Sequence, residues 1–476
     1  MPDAGADLTR IRTGAVVAPA GCGKTHLIAE ALRHHEAPKP TLVLTHTNAG
    51  VAALRGRLDR AGVAPARYRL VTLDGWALRL LGTFPARSGA SPVLLRVENP
   101  GSHYPELRRR AVALLDGGHL DGPLVATYDR LIVDEYQDCG EGQHSLVRSL
   151  SRVLDTVILG DPMQAIFTFA GPTPDWEGEV LARFPLRAEL DIPWRWRNAG
   201  TERLGLWLLG ARRTLHAGGS VDLRQAPPEV SWVHLNGTND QAKQTAAGKT
   251  APSDPDGSVL LMLPSRDKNG QQRFARQIPG AVTVEAVDLR DLTDFASTLD
   301  FADPGALAAI MAFAEKVMSG VGASDLLRRI GTLRAGRVRK EATPAETAAL
   351  AFSNDPGPRS AAGLLEAIGQ QAGARPYRPE VLRACFRALQ ACVADPSQTF
   401  QQAAVDAREQ GRLTGRPLPA RAVGSTLLLK GLEADTAVIL HADDGWDALD
   451  AKHLYVAMTR GARRLIVCSR EPVLPG

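Results

Sequence analysis

Short apolar runs rich in β-branched residues alternate with helical stretches through the first 190 residues, and that rhythm leaves few architectures open. The runs are Ala15–Ala18, Thr41–Thr45, Arg69–Val71, Leu131–Val133, Thr156–Leu159 and Ala188–Ile192. Strands without polar alternation, separated by helix-length segments, predict a parallel sheet covered by helices on both faces. The rhythm returns in Val230–Leu235, Ser258–Leu263, Val282–Val284, Thr436–Leu440 and Leu465–Cys468, which predicts a second sheet. Between its two halves, residues 291–419 read as mostly helical, with Leu307–Glu315 the clearest case and breakers at Asp303-Pro304-Gly305 and Asn354–Gly357. The expected class is α/β, with a first sheet domain at 1–84 and 124–190 and a small insertion at 85–123. A second sheet domain is expected at 191–290 and 420–476, with a helical insertion at 291–419.

A length of 476 residues suits about two to four domains. Hydrophobic residues at 44% and charged residues at 23% match globular proteins, which argues against a disordered chain. No apolar run approaches the roughly 18 residues that a bilayer span needs, and the amino end lacks the charged-then-apolar pattern of a signal peptide. A cytoplasmic protein without a membrane partner is expected. Five scattered cysteines predict reduced thiols, and Cys385 and Cys392, seven apart on a helical pattern, are expected to face a core. Lys and Arg number 56 against 52 Asp and Glu, a balance of +4 that permits a polyanionic partner without requiring one.

Ala18-Pro19-Ala20-Gly21-Cys22-Gly23-Lys24-Thr25 lies between an apolar run and a helical stretch ending near His34. Glycines let backbone N–H groups turn inward around phosphate oxygens, and a helix amino terminus adds its positive dipole end. Lys24 would reach the β- and γ-phosphates and the Thr25 hydroxyl would bind Mg²⁺. The strict pattern has glycine where Ala18 stands, but an ordinary strand–helix turn has no use for Lys-Thr directly after its glycine.

Leu131–Val133 is followed by Asp134 and Glu135, two acids at a strand's carboxyl end, where a doubly wound sheet binds its ligand. Two such acids alone are as readily a solvated turn. Following a phosphate loop, Asp134 would hold Mg²⁺ and Glu135 would take a proton from, or orient, an attacking water.

These blocks, with others in the same order, resemble the motifs of UvrD/Rep-type superfamily 1 helicases, of which the chain reads as a compact member. Asp134-Glu135-Tyr136-Gln137-Asp138 resembles the family's Walker B motif. Thr45-His46-Thr47-Asn48-Ala49 and Val71-Thr72-Leu73-Asp74-Gly75-Trp76 resemble its strand-contacting segments. Leu159–Phe169, Leu190–Arg195, Ser425–Glu433 and Leu454–Ala462 are similar to motifs III, IV, V and VI.

The resemblance implies two RecA-like P-loop parallel-sheet domains with mostly helical insertions. It also implies ATP and Mg²⁺ as cofactors, and single-stranded DNA, or alternatively RNA, as partner. Gly21, Cys22, Gly23, Lys24, Thr25, Gly431 and Glu433 would bind nucleotide, Glu433 at the ribose; Thr25 and Asp134 would bind the metal. Glu135, Gln164, Arg195 and Arg460 would be catalytic, Arg460 as an arginine finger and Arg195 on the γ-phosphate, with Arg197 its alternative. Thr47, Asn48, Thr72, Trp76, Phe167 and Phe169 would meet the strand. The implied activity is ATP-driven movement on single strands in the 3′ to 5′ direction.

Three positions depart from the family pattern. Residues 1–14 contain no Gln to read adenine, Leu427 stands where motif V has His, and Ala170 stands where motif III ends in Arg. Short insertions imply weak unwinding by the protein alone, with a nuclease or effector protein as partner. Rival readings are a P-loop kinase, a GTPase-like switch, or an adaptor subunit of a phage-defence or mobile-element complex. The basic runs Arg108–Arg110 and Arg337–Lys340 would attract phosphates or cover solvated helices.

Overall fold

The structure, a computed structural model, describes residues 7–167, 171–252, 254–285, 289–335, 340–413, 419–443 and 450–475. The first sheet consists of β1 (Thr13–Val17), β2 (Thr41–Thr45), β3 (Tyr68–Thr72), β4 (Arg130–Val133), β5 (Asp155–Gly160) and β6 (Leu186–Glu189). Its order is β3-β2-β4-β5-β1-β6, and every pairing is parallel. β2 is buried along its whole length, and β1, β4 and β5 at all but their first residue, which is why these runs carry no polar alternation.

Register sets the working edge. Val17 pairs with Gly160 across β1 and β5, and Val133 pairs with Ile158 across β4 and β5. Three adjacent strands therefore end side by side, each leading into a predicted site segment: the phosphate loop, the paired acids and the Asp161–Gln164 turn. In chain order, the phosphate loop lies more than a hundred residues from the other two.

A short ribbon pairs β7 (Val221–Asp222) with β16 (Val473–Leu474). The second sheet contains β8 (Val230–His234), β9 (Val259–Met262), β10 (Val282–Thr283), β13 (Arg421–Gly424), β14 (Ala434–Ile439) and β15 (Gly461–Ser469), in the order β10-β13-β9-β14-β15-β8. Its β10–β13, β13–β9 and β9–β14 pairings are parallel. The fold is α/β with two RecA-like sheets, as expected. β13 was not foreseen, because Arg421-Ala422-Val423-Gly424 has two apolar residues and derives its strand character from neighbours on both sides. A second ribbon, β11 (Met318–Ser319) with β12 (Arg375–Pro376), is also too short to leave a pattern.

Two compact units result: residues 1–234 with 442–465 and 469–476, and residues 235–441 with 466–468. In the first, the helices Pro100–Asp116 and Asp121–Thr127 of the small insertion share a core with the helix Leu73–Thr83, through Trp76, Leu80, Leu107, Ala111 and Leu124. In the second, the helices between Arg290 and Leu413 enclose Ile310, Met311, Leu364, Val381, Cys385 and Cys392, so both cysteines face a core as expected. Among the described residues no helix is long and apolar enough to cross a membrane.

The helical region is tied to β10 by a buried ion cluster. Arg378, 1% exposed, donates to both oxygens of Glu285 at 2.7 and 2.8 Å and to Asp291 at 2.7 Å. Arg378→Met takes the bidentate cation from buried Glu285 and should destabilise this unit by about 3–5 kcal/mol in denaturant titration. A loss below about 1 kcal/mol would mean that the carboxylates find water instead.

Candidate active site

β1 ends at Val17 and the helix Lys24–Arg33 begins after a six-residue loop. Gly21 and Gly23 take φ of 71° and 90°, a left-handed conformation open to glycine, and Gly23 caps the helix without a side-chain hydrogen bond. The first-turn N–H groups thus point toward a ligand position rather than a capping side chain. The glycines also permit close packing. A Cβ on Gly21 would lie 2.5 Å from Trp196, and one on Gly23 would lie 3.1 Å from Trp194. Between them Cys22 is buried, and burial, reinforced by Asp161, pushes its thiol up to about 12, so it stays protonated.

Lys24 Nζ reaches Asp134 Oδ1 at 3.0 Å and Glu135 Oε1 at 2.5 Å. Burial works against the ammonium charge, but the two carboxylates outweigh it and raise the pKa of Lys24. Burial also pushes the Asp134 carboxyl up, helped by Glu135 and opposed by Lys24. Asp134 accepts from the Glu135 backbone N–H at 2.9 Å. Glu135 has φ 55° and ψ 41°, a conformation that costs a residue with a side chain roughly 1 kcal/mol or more and is concentrated at functional sites.

Gln137, Asp161, Arg212 and Arg57, to which no motif gave a role, help hold this centre. Gln137 donates to Glu135 Oε2 at 2.6 Å while its carbonyl accepts from the Asp161 N–H at 3.2 Å, joining the ends of β4 and β5. Gln164 donates to Asp161 Oδ2 at 3.0 Å. Arg212, on the helix Glu202–His216, donates from Nε and Nη2 to Asp161 Oδ1 at 3.0 and 2.9 Å. Arg57 donates to Thr25 Oγ1 at 2.8 Å. Sequence offered no signal for Arg57 or Arg212, since each stands among other arginines on a helix and is distinguished by what it meets.

Arg195 lies against the phosphate loop: its N–H donates to Gly21 O at 3.0 Å and its Nη1 to Thr459 O at 2.5 Å. Arg197 turns away to Glu202, at 2.8 and 2.5 Å. Trp196 is buried and donates to Gly461 O at 2.9 Å. From the helix Ala451–Met458, buried Tyr455 accepts from the Ala20 N–H at 3.1 Å. Arg460 is 3% exposed and donates to Val456 O at 2.8 Å and Thr459 Oγ1 at 3.0 Å. The Tyr455–Arg460 segment and the phosphate loop, more than 430 residues apart in sequence, therefore meet in one unit.

The expected strand-contacting residues divide. Thr47 and Thr72 cap their helices, accepting from Gly50 and Gly75 N–H groups, each at 3.0 Å, and Asn48 is exposed beside Thr47. Phe167 stacks with His46, ring centroids 6.4 Å apart, a pairing the sequence did not suggest. Trp76 is corrected: at 4% exposure in the core under the small insertion, it has no free face for a base. Phe169 and Ala170 lie outside the described residues, as do Arg337–Arg339 of the second basic run. In the first run, Arg108 is bidentate to Asp74 at 2.6 and 2.7 Å, while Arg109 and Arg110 pair with Glu106. Gly431 and Glu433 are exposed in the second unit.

The donor chemistry fits a nucleoside triphosphate with a hard divalent cation. Thr25 Oγ1 and Asp134 are oxygen ligands of the kind Mg²⁺ takes, and Lys24 is positioned among acids that a phosphate would replace. No curated protein matches the chain significantly. A family model described as an AAA domain, found in UvrD/Rep-like helicases, matches residues 4–170, the segment that holds β1 to β5 and the Lys24, Asp134 and Glu135 cluster. Residues 4–170 thus form a P-loop NTPase domain of the helicase-like superfamily.

Proposed function

We propose that the protein is an ATP-dependent translocase on single-stranded DNA of the UvrD type, moving 3′ to 5′ and unwinding weakly by itself. The observation that carries this reading is the packing of the Tyr455–Arg460 segment and Arg195 onto the phosphate loop. A P-loop kinase or GTPase-like switch needs Lys24 and Asp134 but not a distant arginine-bearing segment whose Tyr455 packs on the loop. The RecA-like partition at 1–84 with 124–190, and at 191–290 with 420–476, belongs to the same proposal.

In this reading Lys24 leaves the two carboxylates for the β- and γ-phosphates, and Glu135, freed of its cation, accepts a proton from the attacking water. Gln164 aligns that water. Arg195 and Arg460 neutralise charge that spreads over the γ-phosphate as its bond breaks. Mg²⁺ held by Thr25 and Asp134 would polarise phosphate oxygens. Thr47, Asn48 and Thr72 would hold strand phosphates, and Phe167 backed by His46 would stack on a base. Glu433 would meet the ribose.

ATP hydrolysis measured with and without single-stranded DNA or RNA tests the reading. Stimulation by DNA is the expected result. Turnover unmoved by either polymer would favour a nucleotide switch or an adaptor in a larger complex.

A further inference from the structure

Arg212 belongs to none of the predicted site segments, yet it is 6% exposed and spends its guanidinium on the turn that carries Gln164. Two of its N–H groups meet Asp161 Oδ1 and a third meets Glu189 at 2.8 Å. Asp161, 1% exposed, divides its oxygens: Oδ1 takes Arg212 and the Met163 N–H at 3.1 Å, and Oδ2 takes the Gln164 amide at 3.0 Å. A buried carboxylate in a short turn can present one oxygen to Gln164 in a constant direction only if its other oxygen is held. At an exposed turn, water would meet this need. Here the Met163 N–H and, from a separate helix, the Arg212 guanidinium hold that oxygen together.

We propose that Arg212 is a positioning residue for nucleotide hydrolysis, acting through Asp161 to hold the Gln164 amide at the γ-phosphate position. The inference rests on the reading of Gln164 given above. It extends that reading to a residue that would not touch nucleotide. Glu189 anchors the far side of the guanidinium to β6, next to β1, so the relay is referenced to the same sheet that carries the phosphate loop.

Removing Arg212 alone would leave Asp161 as a buried unpaired charge and endanger folding. The decisive variant is therefore the double change Arg212→Met with Asp161→Asn, which removes both charges. In it, the carbonyl oxygen of the introduced amide still accepts from the Met163 N–H, so the new NH₂ group faces the Gln164 NH₂ group, donor against donor. With folding verified by circular dichroism, nucleotide affinity should stay within about twofold of the original while kcat falls on the order of 10², the scale of losing one aligned donor. Gln164→Ala should produce a similar loss, and combining the two should add little, because they break the same alignment. Arg212→Lys, which keeps a cation on Asp161, should retain most of kcat. Unchanged kcat in the folded double variant, beside a crippled Gln164→Ala, would overturn the role of Arg212 and leave the reading of the site intact. Original turnover in Gln164→Ala would overturn both.

Discussion

Replacing Arg460 with alanine should lower nucleotide turnover on the order of 10³ while nucleotide affinity stays near its original value. That factor corresponds to about 4 kcal/mol of barrier, far more than the roughly 0.3–1 kcal/mol that a cation contributes at a helix carboxyl end. The size of the effect therefore separates the two roles open to this arginine. Arg460 follows the helix Ala451–Met458, whose Tyr455 touches the phosphate loop, and its neighbour Thr459 accepts from Arg195. Its guanidinium donates to Val456 O and Thr459 Oγ1, contacts that fix the direction in which its charge points. Such a group can stabilise negative charge developing on a phosphate. The measurement is kcat and nucleotide Kd on material whose melting temperature is checked in parallel. Near-normal kcat with a lowered melting temperature would assign Arg460 to structure alone.

Lys24→Ala should reduce turnover by a factor on the order of 10³ or more and weaken nucleotide binding by a factor of roughly 10–100. The affinity figure follows from losing charge-assisted hydrogen bonds of about 1.5–3 kcal/mol. The second consequence concerns the protein without nucleotide. Lys24 is the cation between Asp134 and Glu135, and the Asp134 carboxyl is already pushed up by burial. Without the ammonium it rises further. A carboxyl whose folded pKa exceeds its unfolded value favours the native state while protonated, and that contribution is lost as pH rises through the folded pKa. The stability deficit of the variant against the original protein should thus be smaller near about pH 5 than near about pH 8. Urea titrations at the two pH values check this, and a deficit independent of pH would mean that the acids swing into solvent.

Much of the fold was legible because parallel strands buried on both faces leave a signal in the chain itself. β1, β2, β4 and β5 were recognisable from their short apolar runs, and the phosphate loop from its glycines, which take positive φ and lie close against Trp194 and Trp196. The short strands β10 and β13 fared differently: the first kept two residues of its run and the second left none, because four residues paired on both sides need no pattern of their own. Trp76 illustrates the opposite failure. Its place in a strand-contacting segment suggested exposure, but the helix Pro100–Asp116 covers it, and the cover comes from a segment whose packing partner local sequence does not specify.

Residue types at short spacing were enough to specify the class of fold, the phosphate-binding loop and the identity of Lys24, Asp134 and Glu135, because each of these is a local pattern in the chain. Which distant groups complete the centre was settled only by the folded arrangement. Arg195 rather than Arg197 faces the loop, Tyr455 reaches Ala20, Gln137 bridges two strand ends, and Arg212 meets Asp161. Each of these is a contact between elements set beside one another by strand order and register. The energy of such a contact depends on distance and burial, and neither is a property of the residues taken alone.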